Sequence, residues 1–148
     1  MPRMPIILVV EDNPDDEVMT LEALQSSGLG DAVVVAHNGE EALDYLFQTG
    51  AYRGQDVETP SVVLLDLKLP KVDGLEVLAR IRADQRLQAL PVAILTSSDE
   101  EQDLVEGYRL AVGCYIRKPV ELNELAEAFR QLGIYWMTNQ PGMGSEVD

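Results

Sequence analysis

The sequence predicts an α/β protein built on a five-stranded parallel sheet with helices on both faces. Five short apolar runs, rich in Val and Ile, recur at fairly even intervals along the 148 residues. Longer segments between them carry apolar residues at helical spacing. The runs are continuously apolar rather than alternating, as strands covered on both faces are. Five strand–helix alternations joined by right-handed crossovers give this architecture.

The first run is Ile6-Ile7-Leu8-Val9-Val10, and the helix after it is marked by Met19, Leu21 and Leu24. Asn13 reads as its cap, ahead of Pro14 at the first helical position. The second run, Ala32-Val33-Val34-Val35-Ala36, leads to Ala42, Leu43, Leu46 and Phe47. Polar Tyr52 to Pro60 reads as an extended loop before the third run, Val62-Val63-Leu64-Leu65, whose helix carries Leu75, Val77, Leu78 and Ile81. The fourth run, Pro91-Val92-Ala93-Ile94-Leu95, precedes Leu104, Val105, Tyr108 and Ala111, with Gly113 as the stop signal. Cys114-Tyr115-Ile116 then precedes Leu122, Leu125, Ala126, Phe129 and Leu132. Gly133 interrupts this last helix, and the apolar cluster Ile134-Tyr135-Trp136-Met137 follows. Such a cluster near a terminus folds back on the domain or meets another subunit. The tail from Thr138 contains Gly and Pro and is expected to fray. One domain over residues 1–137 and a tail over 138–148, flexible or dimer-contacting, is the expected division.

Composition excludes several functions. The chain has 26 acidic residues against 11 basic ones and a formal net charge of -15. Phosphate backbones and anionic bilayers repel such a chain, so neither nucleic acid nor a membrane is an expected partner. Most of these carboxylates serve only to solvate the surface. The single cysteine, Cys114, excludes an intrachain disulfide and argues against a cysteine-based zinc site; it reads as a small buried hydrophobe. The opening apolar run is too short for a signal-peptide core or a membrane span, so a cytoplasmic location is expected. His37 is the sole histidine, lacks companions for metal ligation and reads as surface structure.

Open parallel sheets bind ligands beyond the carboxyl ends of their strands, where the strand order reverses. Those ends carry Glu11-Asp12, Asp66, Thr96-Ser97 and Arg117-Lys118-Pro119. Three carboxylates, a hydroxyl and an ammonium therefore converge on one edge of the sheet. Like charges so packed call for a cation. Oxygen ligands select a hard ion, and Mg²⁺ held by one or two carboxylates keeps open positions for phosphoryl oxygens. A carboxylate in such a cluster can itself be the nucleophile, forming an acyl phosphate. Phosphoryl transfer asks mainly for positioning and charge neutralisation, to which the ion, the Lys118 ammonium and the Thr96 hydroxyl each contribute. Asp66 ends the most apolar run, expected at the centre of the sheet, and is the candidate nucleophile. Taken singly, Asp12 and Thr96 read as helix caps, Lys118 as a solvated lysine and Tyr115 as core filler. Together they read as a site.

The set Glu11-Asp12, Asp66, Thr96 and Lys118-Pro119, with Asp66-Leu67-Lys68-Leu69-Pro70 followed by Asp73-Gly74, resembles the signature of the response-regulator receiver domain of two-component signalling. The intervals agree: Asp66 to Thr96 is 30 residues and Thr96 to Lys118 is 22. The likeness runs from about Ile6 to about Leu132. It implies a doubly wound, flavodoxin-like fold with strand order 2-1-3-4-5. It implies that Asp66 accepts a phosphoryl group from a sensor histidine kinase or a small phosphodonor. Mg²⁺ would be held by Asp12, Asp66 and the main-chain carbonyl of Lys68, with Glu11 acting through water. Lys118 would contact the phosphoryl group beside a cis Lys118-Pro119 peptide, and Thr96 and Tyr115 would form a switch pair. Glu11 stands where Asp is commoner in the family. Lys68, two residues past the acceptor, occupies a position that tunes acyl-phosphate lifetime.

The Tyr52–Pro60 loop, Asn13-Pro14, Cys114-Tyr115-Ile116 and Tyr135-Trp136 are similar to regulators paired with bacterial phytochromes, which points to a phytochrome kinase and favours a homodimer through the carboxyl-terminal end. No DNA-binding domain is expected after the last helix, so output is expected through contact with an unknown downstream protein. The domain is expected to catalyse only its own phosphorylation and dephosphorylation. An intermediate carrier in a phosphorelay is the alternative. A Mg²⁺-dependent phosphatase of the haloacid dehalogenase type would need an acid where Lys68 stands. A flavodoxin-like FMN carrier would have its phosphate repelled by Glu11-Asp12-Asn13-Pro14-Asp15-Asp16.

Overall fold

The computed structural model describes residues 6–55 and 57–133. Strands β1 (Ile7–Val10), β2 (Val33–Ala36), β3 (Val62–Asp66), β4 (Val92–Thr96) and β5 (Cys114–Arg117) alternate with helices α1 (Pro14–Ser26), α2 (Gly39–Phe47), α3 (Gly74–Ala83), α4 (Asp99–Gly107) and α5 (Leu122–Gln131). The strands form one parallel sheet in the order β2-β1-β3-β4-β5. β1, β3 and β4 are buried along their whole length, which is why their sequences show no alternation.

Side chains of successive strand residues enter two separate cores, as the period of two requires. Ile7, Val9, Leu64 and Leu95 pack with Leu24, Leu125 and Phe129 from α1 and α5. Leu8, Val10, Leu65 and Ile94 pack with Leu46, Leu78, Ile81 and Val105 from α2, α3 and α4. The chain leaves β1 outward to β2 and returns on the other side to β3, so the order reverses between β1 and β3. The crevice lies beyond Val10 and Asp66, where such folds place ligands.

Local chemistry sets the helix starts. The Asn13 side chain accepts from the amides of Asp15 and Asp16, and Pro14 follows it. Asn38, Asp73 and Ser98 cap α2, α3 and α4 by the same bond, to Glu41, Glu76 and Glu101. Gly74 lets α3 start hard against the end of β3: a Cβ there would lie 2.4 Å from the Asp66 carbonyl oxygen.

Three expectations need correction. α4 ends at Gly107, with Arg109 in the left-handed region at φ 57°, so Tyr108 and Ala111 lie beyond the helix. Gly113 is no cap for it. Its amide donates to Val92 at the entry to β5, and a Cβ there would meet the Leu132 side chain at 2.1 Å. Met19 lies in α1 but is exposed, the core contacts of the helix coming from Leu21, Ala23 and Leu24. The apolar cluster Ile134–Met137 and the tail from Thr138 lie outside the described residues. No described helix is long and apolar enough to cross a membrane.

Candidate functional site

The turn after β1 carries Glu11, fully buried, and Asp12, exposed, while Asp66 ends β3 at 4% exposure. One carboxylate oxygen from each lies within 4.8 Å of the others. Across from them, the turn after β5 delivers Lys118, whose peptide bond to Pro119 is cis. The Lys118 side chain is 12% exposed; its Nζ donates to Asp16 Oδ2 at 3.0 Å and lies 3.2 Å from Asp66 Oδ1 and 3.6 Å from Glu11 Oε1. The Lys118 amide donates to the Thr96 carbonyl at 2.8 Å, fixing the turn to β4.

One ammonium faces the three carboxylates of Glu11, Asp16 and Asp66, and the imbalance is visible in the groups themselves. Burial raises the Glu11 pKa to about 8, reinforced by its contact with the Asp66 carboxylate and opposed by the Asn13 amide and the Lys118 charge. Burial would lower Lys118, but its hydrogen bond to Asp16 and the charges of Asp66 and Glu11 hold it well above an ordinary lysine. Glu11 Oε2 accepts from the Asn13 amide at 3.2 Å, whereas buried Oε1 has no hydrogen-bond partner. A buried carboxylate oxygen with no hydrogen bond, 3.6 Å from the Lys118 ammonium and beside two more carboxylates, fits a hard divalent cation better than it fits an ion-free core. The donor set is all oxygen, which suits Mg²⁺.

The switch candidates share a face of the sheet. Tyr115 pairs in register with Ile94, two residues before Thr96 on the same side of β4, and its half-buried ring packs on the core beneath α4. The Thr96 hydroxyl is buried and donates to the Ser98 carbonyl at 2.8 Å, within 3.2 Å of Glu101 Oε1. Lys68 extends from the loop after β3, its Nζ 3.3 Å from Glu101 Oε2. A cavity of about 480 Å³ bordered by Asp12, Lys68, Asp73 and Glu101 opens beside the carboxylates. His37 lies apart, between Glu17 and Glu41, and Cys114 is buried, its thiol pKa raised by burial to about 11.

The structure thus brings together Glu11, Asp12, Asp66 and Lys118, with Thr96 and Lys68 linked to one another through Glu101. Two participants escaped the sequence reading. Asp16, in the first turn of α1, supplies the shortest ion pair to Lys118. Glu101 was signalled by Ser98-Asp99-Glu100-Glu101, a capping-box spacing.

Comparison with known proteins agrees with this geometry. The family described as "Response regulator receiver domain" matches residues 7–130. The response regulator Rcp1 of Synechocystis sp. is 36% identical over 132 residues, covering 89% of this chain and 88% of that protein. The structure of the bacteriophytochrome response regulator AtBRR superposes with a TM-score of 0.86 at 52% identity, covering 91% of this chain and 96% of that one. The Mn²⁺-bound form of Rcp1 superposes with a TM-score of 0.71 at 35% identity, covering 93% and 97%. The expected likeness to phytochrome-associated regulators is borne out.

Proposed function

We infer the function from one established point: this chain belongs to the response-regulator receiver family. Its setting is two-component signalling. In our reading Asp66 accepts a phosphoryl group. A carboxylate oxygen attacks phosphorus, the bond from phosphorus to the donor breaks, and the bonding pair leaves with the donor. That donor is an imidazole nitrogen of a sensor histidine kinase, or the acetate of acetyl phosphate. Lys118, 3.2 Å from Asp66 Oδ1, places a fixed positive charge beside the transferring oxygens. Thr96 supplies a hydroxyl to the same group, and Tyr115 shifts with it as the switch. Asp12, Asp66 and the Lys68 carbonyl would hold Mg²⁺, with Glu11 through water; the ion would supply charge neutralisation on the phosphoryl oxygens. The Mn²⁺-bound form of Rcp1 supports a divalent ion of this kind.

The observation that carries the reading is the convergence of the Glu11, Asp12 and Asp66 carboxylates within 4.8 Å of one another, two of them, Glu11 and Asp66, paired with Lys118. The likeness to AtBRR supports a phytochrome-type kinase as donor. Residues 1–137 act as the receiver, catalysing only its own phosphorylation and dephosphorylation. The chain acts as a homodimer, and output passes through contact with another protein in the cytoplasm.

Incubation with acetyl phosphate and Mg²⁺, followed by intact mass, tests the reading. The native chain gains one phosphoryl group and Asp66→Asn gains none. A gain that survives in Asp66→Asn, or no gain in the native chain, contradicts it.

A further inference from the structure

Glu101 is the third residue of α4, after the cap Ser98. A glutamate at this position ordinarily reaches back to the amide of the cap itself. Here Oε1 instead accepts from the amide of Ser97 at 2.8 Å and lies 3.2 Å from Thr96 Oγ1. The Ser98 amide is left to the Thr96 hydroxyl, at 3.2 Å. A threonine hydroxyl has one proton. That proton points to the Ser98 carbonyl and the Glu101 carboxylate, so the hydroxyl is turned towards the start of α4. The other oxygen of Glu101 faces the Lys68 ammonium at 3.3 Å, and the Glu101 side chain is only 13% exposed. One carboxylate therefore ties the loop after Asp66 to the hydroxyl at the end of β4.

We propose that Glu101 is a positioning residue, a latch that holds the Thr96 hydroxyl and the Lys68 ammonium away from Asp66 and so sets how readily Asp66 takes and keeps a phosphoryl group. The proposal rests on the reading of Asp66 as acceptor. A phosphoryl group there presents three acceptor oxygens and competes with Glu101 for the same two donors. Whatever stabilises the latched arrangement is subtracted from the phosphorylated one. Hydrogen bonds to a charged group are strong enough for loss of the latch to shift this balance about tenfold.

The test is titration of the full chain with beryllofluoride, a phosphoryl mimic, in saturating Mg²⁺, followed by calorimetry. Glu101→Ala binds about tenfold more tightly than the native chain. Glu101→Gln keeps an oxygen for the Ser97 amide and Thr96 but frees Lys68, so it gains less, about threefold. The gain of Glu101→Ala falls to the threefold share of Lys68 in a Thr96→Val background, and that of Glu101→Gln disappears in Lys68→Met, whose substituted side chain is 81% exposed. A residue that only caps α4 would leave affinity unchanged, or change it equally in every background; either result overturns the latch. Urea melts separate loss of the helix cap from loss of the latch. Failure of the native chain to bind beryllofluoride counts instead against Asp66 as acceptor. Native binding with Glu101→Ala and Glu101→Gln no tighter overturns the role of Glu101 alone.

Discussion

Raising the pH through the neutral range should weaken the metal-free protein, and Mg²⁺ should reverse the loss. Glu11 is fully buried, with a folded-state pKa of about 8 against an ordinary 4.5. Below 4.5 it is protonated whether the chain is folded or not, and folding is not penalised. Between 4.5 and about 8 the unfolded chain releases this proton while the folded chain retains it, so stability falls as pH rises and levels off above about 8. At about 1.4 kcal/mol per pH unit, the gap sets a ceiling of about 5 kcal/mol on the loss. A loss of even about 2 kcal/mol moves a urea midpoint by about 1 M for a domain of this size. The assay is urea unfolding in chelator from about pH 5 to about pH 9, repeated in Mg²⁺ and with Glu11→Gln. The native chain should lose midpoint across the window in chelator. Glu11→Gln should lack most of that slope, and saturating Mg²⁺ should flatten it by binding the ionised cluster. A metal-free midpoint that holds steady or rises from pH 5 to 8 would refute the assignment of Glu11 as a strained, proton-holding carboxyl.

Three further outcomes follow from the same geometry. Gly74→Ala forces a methyl within 2.4 Å of the Asp66 carbonyl oxygen and 2.8 Å of the Leu67 Cα, backbone atoms that cannot swing aside. It should cost about 1–3 kcal/mol in urea melts, with the phosphorylation rate falling alongside. Lys118→Met leaves Glu11, Asp16 and Asp66 without their shared cation and should cost the metal-free chain about 3–5 kcal/mol; recovery of stability in Mg²⁺ without recovery of phosphorylation is expected, and unchanged melting would refute the ion-pair account. The Cys114 thiol is buried and its pKa raised to about 11, so iodoacetamide at neutral pH should react at least about 100-fold more slowly than with an open thiol, and fast labelling would contradict its burial.

The central strands were legible because a parallel strand covered on both faces has to be apolar throughout, and β1, β3 and β4 differ from the reading by a residue at their ends. The end of α4 was not. Tyr108 and Ala111 continue a helical spacing that the chain abandons at Arg109, and Gly113, which resembles a stop signal, is small because Leu132 packs over it. At the site, Glu11, Asp12, Asp66 and Lys118 could be found from the rule that ligands sit beyond strand ends. Asp16 and Glu101 lie in first turns of helices, where acids are common for dipole and capping reasons. Only their direction in space, towards Lys118 in one case and towards Thr96 and Lys68 in the other, separates them from Asp15 and Glu100.

Trapping the acyl phosphate by borohydride reduction and sequencing the resulting peptide tests the central claim most directly. An aspartyl phosphate reduced in this way becomes homoserine at the modified position. The account predicts homoserine at residue 66, formed only when phosphodonor and a divalent ion were both present. Homoserine at Asp12 or Asp16 instead, or at 66 in equal yield with chelator, would contradict it.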